Sequence, residues 1–423
     1  MKTDFYTNKY FYIVIIVTLL SVKAGEGSWN DASRMATIQS LVEHHTVIID
    51  DSEFINTGDK VFINGHFYSD KPVITSVFGA IAYFPLYYLG INFEGSNNLV
   101  YYLIVLIVIK SFWLAGLFGF YKSLDILGAE RNTCLVLTVA LGFCSLYFTW
   151  SAVFNNHLVA ASNLALGFYY LLKYRYVKSL GRYTFYAGLF FTLAGCADHA
   201  TAIFFVGFAI YLFLVRPAAW KHWFYYFIPV VFLAVPNLIF NYLISGQVLP
   251  FQLVPSYFEY KGSPWSKPKN LTGDNINNLP FMIQYGFSML FGGKGFIIYN
   301  PILLIGIPCL IMEIVRKRRY YLEAIVAGVC SMIIILFYSA VSRDYSGWSY
   351  SIRWFVPLLP FLLIFTFRYL EHVEKPVRKY TFTSLCILSC LIALIGIINP
   401  WSSLAYTNKT DIPLYANLLQ LIN

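Results

Sequence analysis

Charged side chains are scarce in this chain: Asp, Glu, Lys and Arg make up 12% of its 423 residues, against about a quarter in soluble domains. The shortage excludes a protein wetted by water on every side. Together with a mean hydropathy of +0.61, it makes lipid the main solvent. Metal-ligand spacing is missing too. The seven cysteines (Cys134, Cys144, Cys196, Cys309, Cys330, Cys386, Cys390) fall in or beside apolar runs, so they read as small core residues rather than disulfides or a metal site. No repeat of roughly 20–50 residues is visible, and there is no separate soluble domain. Phe291-Gly292-Gly293-Lys294-Gly295 is glycine-rich, but no strand precedes it and it is not a nucleotide loop. The net charge of +9 comes from basic residues scattered at segment ends, which suits membrane topology and not a nucleic-acid partner.

Apolar surface is what the chain has in plenty. Hydrophobic residues make up 58%, and 34 Tyr and 38 Phe supply rings of the kind that gather in interfacial belts. Apolar runs lie near 10–24, 99–121, 133–150, 158–172, 183–197, 199–215, 223–243, 290–312, 320–340, 354–370 and 381–399. A helical crossing needs about 20 such residues. The basic clusters are Lys2/Lys9, Lys122/Arg131, Lys173/Arg175/Lys178/Arg182, Arg216/Lys221, Arg316–Arg319 and Arg368/Lys375/Arg378/Lys379. They hold 18 of the 30 basic residues, and placing them all in the cytoplasm keeps every alternation consistent. A crossing at 73–90 would flip each later cluster, so that stretch reads as a re-entrant or interfacial segment.

The expected architecture is therefore all-α and integral to the membrane: one polytopic domain over 1–423, a helical bundle of about eleven spans with a membrane-surface outer loop. The N-terminus is cytoplasmic, or else a cleaved signal peptide ending near Ala24. The outer face carries loop 25–72, the turn Phe154–His157, a cap loop at 244–285 and the segment Ser342–Arg353.

Residues 28–72 depart from the apolar pattern. With Glu26 they hold eight of the 21 acidic residues, and they include three of the seven histidines. Ser28 or Asn30 caps a helix in which Met35, Ile38, Leu41 and Val42 follow at helical spacing. That apolar face is expected on the bilayer surface. Asp31 and Arg34 share a neighbouring face at the helix start. Either Asp31 complements the helix dipole with Arg34 as its partner, or both serve chemistry. Lys60 to Pro72 reads as a β-hairpin turning at Asn64-Gly65, which delivers Asp70 and Lys71 to the membrane surface. Lys71 there either snorkels or binds a phosphate. A carboxylate and two cations at an interface suit a reaction in which an acceptor hydroxyl needs a base and a lipid-phosphate leaving group needs positive charge.

Asn30-Asp31-Ala32-Ser33-Arg34, followed by Tyr68-Ser69-Asp70-Lys71-Pro72, resembles the first outer loop of the GT-C membrane glycosyltransferases. The family 39-like group, with protein O-mannosyltransferases and lipid A aminoarabinose transferases, is the most similar in pattern. The resemblance implies that Asp31 faces the reacting centre and that Arg34 and Lys71 contact the donor phosphate, with Tyr68 and Asp70 on the substrate side. The chain departs from the family at Val73, where a second proline is usual. Three further outer-face features fit the pattern. His157 ends the turn where similar proteins place a polar residue near the sugar. Asp198 pairs with His157 or His199. Arg353, closing a Gly/Ser/Tyr-rich segment, clamps the phosphate or anchors the interface with Trp348 and Trp354.

What the resemblance implies about activity is an inverting transfer of a hexosyl or pentosyl group from a polyprenyl-phosphate carrier to an acceptor hydroxyl on a lipid, glycan or protein. The active site would lie on the outer face of a plasma or inner membrane, in the making of a cell-envelope glycan. The lipid-linked sugar is the co-substrate. Some relatives bind a divalent metal near this loop, and Asp70 with a histidine is the place for one, though no ligand spacing marks it. Two other classes are open. A transporter or lipid flippase would place ionisable groups near the bilayer midplane in repeated halves, whereas here Lys110 is the only obvious charge inside a span and the polar residues gather on one face. A polysaccharide polymerase or ligase would depend on loop 244–285 instead of 25–72. Asn270-Leu271-Thr272 and Asn408-Lys409-Thr410 would be glycosylation acceptors in a eukaryote.

Overall fold

Backbone amides in lipid find no water, so apolar runs have to close their hydrogen bonds within themselves as helices. The structure is a computed structural model and describes residues 9–265, 275–371, 376–402 and 412–422. Over these residues the chain forms the expected all-α membrane bundle. Five helices are long and apolar enough to cross a membrane: Asn98–Ile126, Trp220–Ser245, Tyr321–Val341, Arg353–Leu370 and Pro376–Ile398. A sixth is added if Arg131–Phe143 and Leu146–Ala152, bent by 55° at their break, count as one span. Val73–Tyr88, His199–Val215, Leu279–Phe291 and Leu303–Val315 are shorter apolar helices. The expected sequons at Asn270 and Asn408, along with Lys2 and Lys375, lie outside the described residues. All seven cysteines are free thiols.

One expected run, 290–312, is not a single helix. Leu279–Phe291 stops at Gly292, and the next helix starts at Leu303. Glycine makes the break possible. A Cβ on Gly295 would sit 2.7 Å from the Leu290 carbonyl oxygen and the Phe291 carbonyl carbon, so only a residue without a side chain lets the strand of backbone fold over the helix end. The expected cap loop 244–285 correspondingly gives way to helix at Leu279.

Two helices and a hairpin position the candidate site. Helix α1 (Lys9–Leu20) leads into α2 (Trp29–Glu43), and strands β1 (Lys60–Ile63) and β2 (His66–Ser69) lead into α3 (Val73–Tyr88). The hairpin expectation holds: Val61 faces Tyr68 and Ile63 faces His66. The turn residues Asn64 and Gly65 have φ of 53° and 91°, as a two-residue hairpin turn requires. Val61, Ile63 and Tyr68 form a small apolar cluster with Ile244 and Phe251, which ties the hairpin to the start of the cap loop. Asp50 braces its outer edge, accepting from the Phe67 amide at 2.7 Å and meeting His66 Nδ1 at 2.8 Å.

The apolar side of α2 corrects the sequence expectation. Met35, Ile38 and Val42 are buried within the protein instead of lying on lipid, because α2 packs along α3 and Ile38 settles on Gly79. The 16-residue α3 is short of the length a straight crossing needs, and a turn at Gly90 (φ 79°) follows it. Deeper in the bundle, Phe168, Phe191, Phe204, Phe208 and Phe361 stack ring to ring, with centroids 4.5–5.8 Å apart for the direct neighbours. They join four helices into one core.

Helices Gly181–Ala197 and Trp220–Ser245 approach so closely that a Cβ on Gly188 would overlap the Tyr226 carbonyl. Because the obstacle is backbone, the Gly188→Val variant should lose about 1–3 kcal/mol of stability. A lowered thermal unfolding midpoint in detergent reads this out, and an unchanged midpoint would contradict the close packing.

Candidate active site

The start of α2 organises the site. Ser28 is the N-cap, extended at φ −160°, and its hydroxyl accepts from the Asn30 and Asp31 amides at 3.1 and 3.4 Å. This cap fixes the first turn and with it the direction of Asp31, whose side chain is 0% exposed. Three donors converge on one carboxylate oxygen: Asp31 Oδ2 accepts from the Gly27 amide (3.1 Å), the Tyr101 hydroxyl (3.0 Å) and Trp401 Nε1 (2.7 Å). The other oxygen, Oδ1, is buried with no hydrogen-bond partner among the described residues. Burial pushes the carboxyl up to about 7 against the pull of those donors and of Arg34, a value suited to a proton acceptor at neutral pH.

Arg34, one turn on, is 1% exposed. Its guanidinium donates to the Asn30 carbonyl at 2.8 Å, to the Asn30 side chain, and to Asn156 Oδ1 at 2.5 Å. Nε has no acceptor, and Arg34 makes no ion pair among the described residues. The expected Asp31–Arg34 pair is therefore not formed, because amides rather than a carboxylate hold the cation. Burial, and then the nearby charge of Arg353, lower Arg34 to about 10, so it remains a cation.

The hairpin supplies the opposite wall. Lys71 Nζ donates to Asp59 Oδ2 and Asp70 Oδ2, each at 2.8 Å, and Ser33 donates to Asp70 at 3.4 Å. Burial pushes both carboxyls up while Lys71 pulls them down. For Asp59 the pull wins, reinforced by Arg353 and Arg34, and the carboxyl stays below its ordinary range. For Asp70 burial wins and the carboxyl stays above it. Between these groups lies a cavity of ≈ 570 Å³ whose wall includes Asn30, Asp59, Asp70, Lys71, Arg353 and Trp401. Trp29, Trp265 and Trp348 stand at its side with Gln252 and Phe258 from the cap segment. Trp29 stacks on Trp348 (6.2 Å, 17°) and meets Trp265 edge-on (6.1 Å). Arg353 lies 5.1 Å above the Trp401 ring.

The expected site residues thus divide. Lys71, Asp70 and Arg353 line the cavity, and Asp31 and Arg34 sit directly behind it, Asp31 through its bond to Trp401 and Arg34 through Asn30. His157 and Asp198 do pair, Nδ1 to Oδ2 at 2.7 Å, but outside the cavity wall. Tyr68 is turned into the Val61–Phe251 cluster and does not reach the cavity. Sequence reasoning missed Asp59, Asn30, Asn156, Tyr101 and Trp401. The first three stand inside segments already singled out, whereas Tyr101 and Trp401 come from apolar surroundings and meet Asp31 across 70 and 370 residues. Among the described residues no three His, Cys, Asp or Glu side chains are grouped to hold a metal ion. Asp70 meets Lys71 and Ser33, while His66 is engaged by Asp50.

No protein-family profile and no curated protein matches the chain. Solved structures do. ArnT from Cupriavidus metallidurans bound to undecaprenyl phosphate superposes with a TM-score of 0.60 at 12% identity, over 97% of this chain and 74% of ArnT. The apo oligosaccharyltransferase of Archaeoglobus fulgidus superposes with a TM-score of 0.52 at 11% identity, over 98% of this chain and 56% of that one. The archaeal AglB from the same organism, in complex with an inhibitory peptide and a dolichol-phosphate, gives 0.52 and 11%, over 93% and 55%. The chain has the GT-C glycosyltransferase fold. The likeness extends over 93–98% of this chain, and the sequence resemblance in the first outer loop falls on the residues around the cavity.

The raised Asp31 carboxyl has a consequence for stability. The folded state holds this proton up to about pH 7, whereas an unfolded Asp releases it near 3.9. The contribution is therefore full below the unfolded value and is lost as pH rises through 7. Asp31→Asn, which cannot ionise, should match the parent at low pH and become the more thermostable of the two by several degrees above pH 7. Parallel unfolding midpoints across the range would contradict the buried, uncompensated carboxylate.

Proposed function

We propose that this protein transfers a sugar from a polyprenyl-phosphate carrier to an acceptor hydroxyl, with inversion, at the outer face of a plasma or inner membrane. The observation that carries the reading is the presence together of a buried carboxylate whose Oδ1 has no hydrogen-bond partner among the described residues, Asp31, and a guanidinium, Arg34, that makes no ion pair among them. Such a pair leaves one group to take a proton and another to meet an anion. The fold supports the carrier class, since ArnT is bound to undecaprenyl phosphate and AglB to a dolichol-phosphate.

In this reaction the acceptor oxygen attacks the anomeric carbon as its proton passes to Asp31 Oδ1. The bond from that carbon to the phosphate oxygen breaks, and the electron pair leaves with the lipid phosphate. Arg34, Lys71 and Arg353 stabilise the charge that gathers on the phosphate. Lys71 is the adjustable member of the three: it already holds Asp59 and Asp70, and a phosphate oxygen replaces one of these carboxylates as its partner. Segment 25–72 serves as the catalytic loop and 244–285 as the cap over the acceptor, contributing Gln252, Phe258 and Trp265 to the cavity wall. The His157–Asp198 pair supports the Asn156 side of the site from behind. No metal enters the scheme, and cation requirement is an open variable of the assay.

Lipid mass spectrometry of membranes containing either the parent or Asp31→Asn tests the reading. Consumption of a polyprenyl-phosphate sugar by the parent alone is expected; equal consumption by a folded Asp31→Asn variant would remove Asp31 from the chemistry. Arg34→Ala and Lys71→Ala should each lower turnover by roughly 10²–10³, the usual effect of losing one preorganised stabilising group. Single-turnover rates at saturating donor measure this.

A further inference from the structure

Trp401 is the residue whose position the scheme above leaves unused. It follows the Pro376–Ile398 helix and is 1% exposed although its side chain forms part of the cavity wall. Its ring is fixed on three sides. Trp150 meets it edge-on at 4.9 Å and 73°, the Arg353 guanidinium lies over it at 5.1 Å, and the backbone of Gly27 is so near that a Cβ there would come within 2.9 Å of Cδ1. Held this way, Nε1 points at Asp31 Oδ2 at 2.7 Å, the shortest of the three bonds to that oxygen. With Oδ2 occupied by three donors, Oδ1 is the only carboxylate oxygen left with a free lone pair.

We propose that Trp401 is a positioning residue for the Asp31 base: its indole N–H fixes Oδ2 and aims Oδ1 at the acceptor hydroxyl. The role rests on the glycosyl-transfer reading in that Asp31 is the proton acceptor. It also joins two parts of the site that are otherwise separate, since the guanidinium proposed to clamp the phosphate sits on the face of the ring whose edge holds the base. The titratable groups that act on Asp31 are Tyr101 on the Asn98–Ile126 helix and Arg34 on its own helix; Glu26 lies near Tyr101, and Arg353 lies beyond the Trp401 ring. A charge-assisted hydrogen bond from an uncharged donor favours the ionised form, so its removal shifts the titration toward higher pH.

The experiment replaces the Trp401 indole by its sulfur isostere benzothiophene, which keeps the ring and deletes the N–H. Trp401→Phe serves as the genetically simpler second variant. Infrared difference titration follows the Asp31 carboxyl, assigned by its disappearance in Asp31→Asn, and needs no substrate. The expected result is a midpoint displaced to higher pH in both Trp401 variants. Turnover should fall roughly tenfold near neutral pH, as loss of a hydrogen bond to a charged group does, and recover as the pH is raised. An unmoved midpoint overturns the proposal whatever the activity. A uniform loss of turnover at every pH, with the midpoint unmoved, makes Trp401 a packing residue only. A displaced midpoint in a protein whose parent consumes no lipid-linked sugar keeps the positioning role and overturns the transfer reading instead.

Discussion

The site is organised around a guanidinium that is kept from water and held by amides, with no ion pair among the described residues. Desolvating such a cation costs several kcal/mol unless hydrogen bonds take the place of hydration. Arg34 obtains them from Asn30 on its own helix and Asn156 at the head of the Asn156–Leu172 helix. Amide acceptors satisfy the donors but do not cancel the charge. The geometry of α2 follows from this requirement. Its first turn has to be capped by Ser28, its apolar side has to sink onto α3, and the Asn156 helix has to begin at the same depth, or the guanidinium loses its acceptors. An ion pair at this position would have closed the site. The Nε of Arg34 has no acceptor among the described residues.

Much of this was legible in the chain. Apolar runs became helices because lipid leaves the backbone no alternative, and Asn64-Gly65 became a hairpin turn because few dipeptides adopt two successive positive φ angles. Asp31, Arg34, Lys71 and Arg353 were recognisable as charged residues where charge is expensive. What the chain concealed depends on tertiary packing. The stripe of Met35, Ile38 and Val42 has the same spacing whether it faces lipid or protein, so only the presence of α3 decides between them. Gly292 and Gly295 sit within an apolar stretch that hydropathy reads as continuous, although their lack of a side chain is what allows the chain to double back. Trp401 and Tyr101 carry no local signal at all. Their meaning arises from a contact with Asp31 that sequence distance hides. Tyr68, which the resemblance places on the substrate side, shares with Val61 and Ile63 the hairpin face that packs on Ile244 and Phe251.

Low identity with a shared fold is consistent with this division. At 12% identity to ArnT few side chains are held in common, and what the superposition shows is the shared arrangement of the chain. The aromatic side of that cavity, made by Trp29, Trp265 and Trp348, is formed from three separate segments. Residues far apart in the sequence therefore build this wall together.

The doubled partnership of Lys71 has one more consequence. The ionisable residues lining the cavity are Asp59, Asp70, Asp344, Lys71 and Arg353, so the lining itself offers a water-soluble anion no excess of basic side chains. A phosphate tethered to a hydrocarbon chain does not depend on attraction, because it searches in two dimensions within the bilayer. On the proposed reading the carrier reaches this mouth from within the bilayer, so membrane composition, not the ionic strength of the medium, governs the encounter.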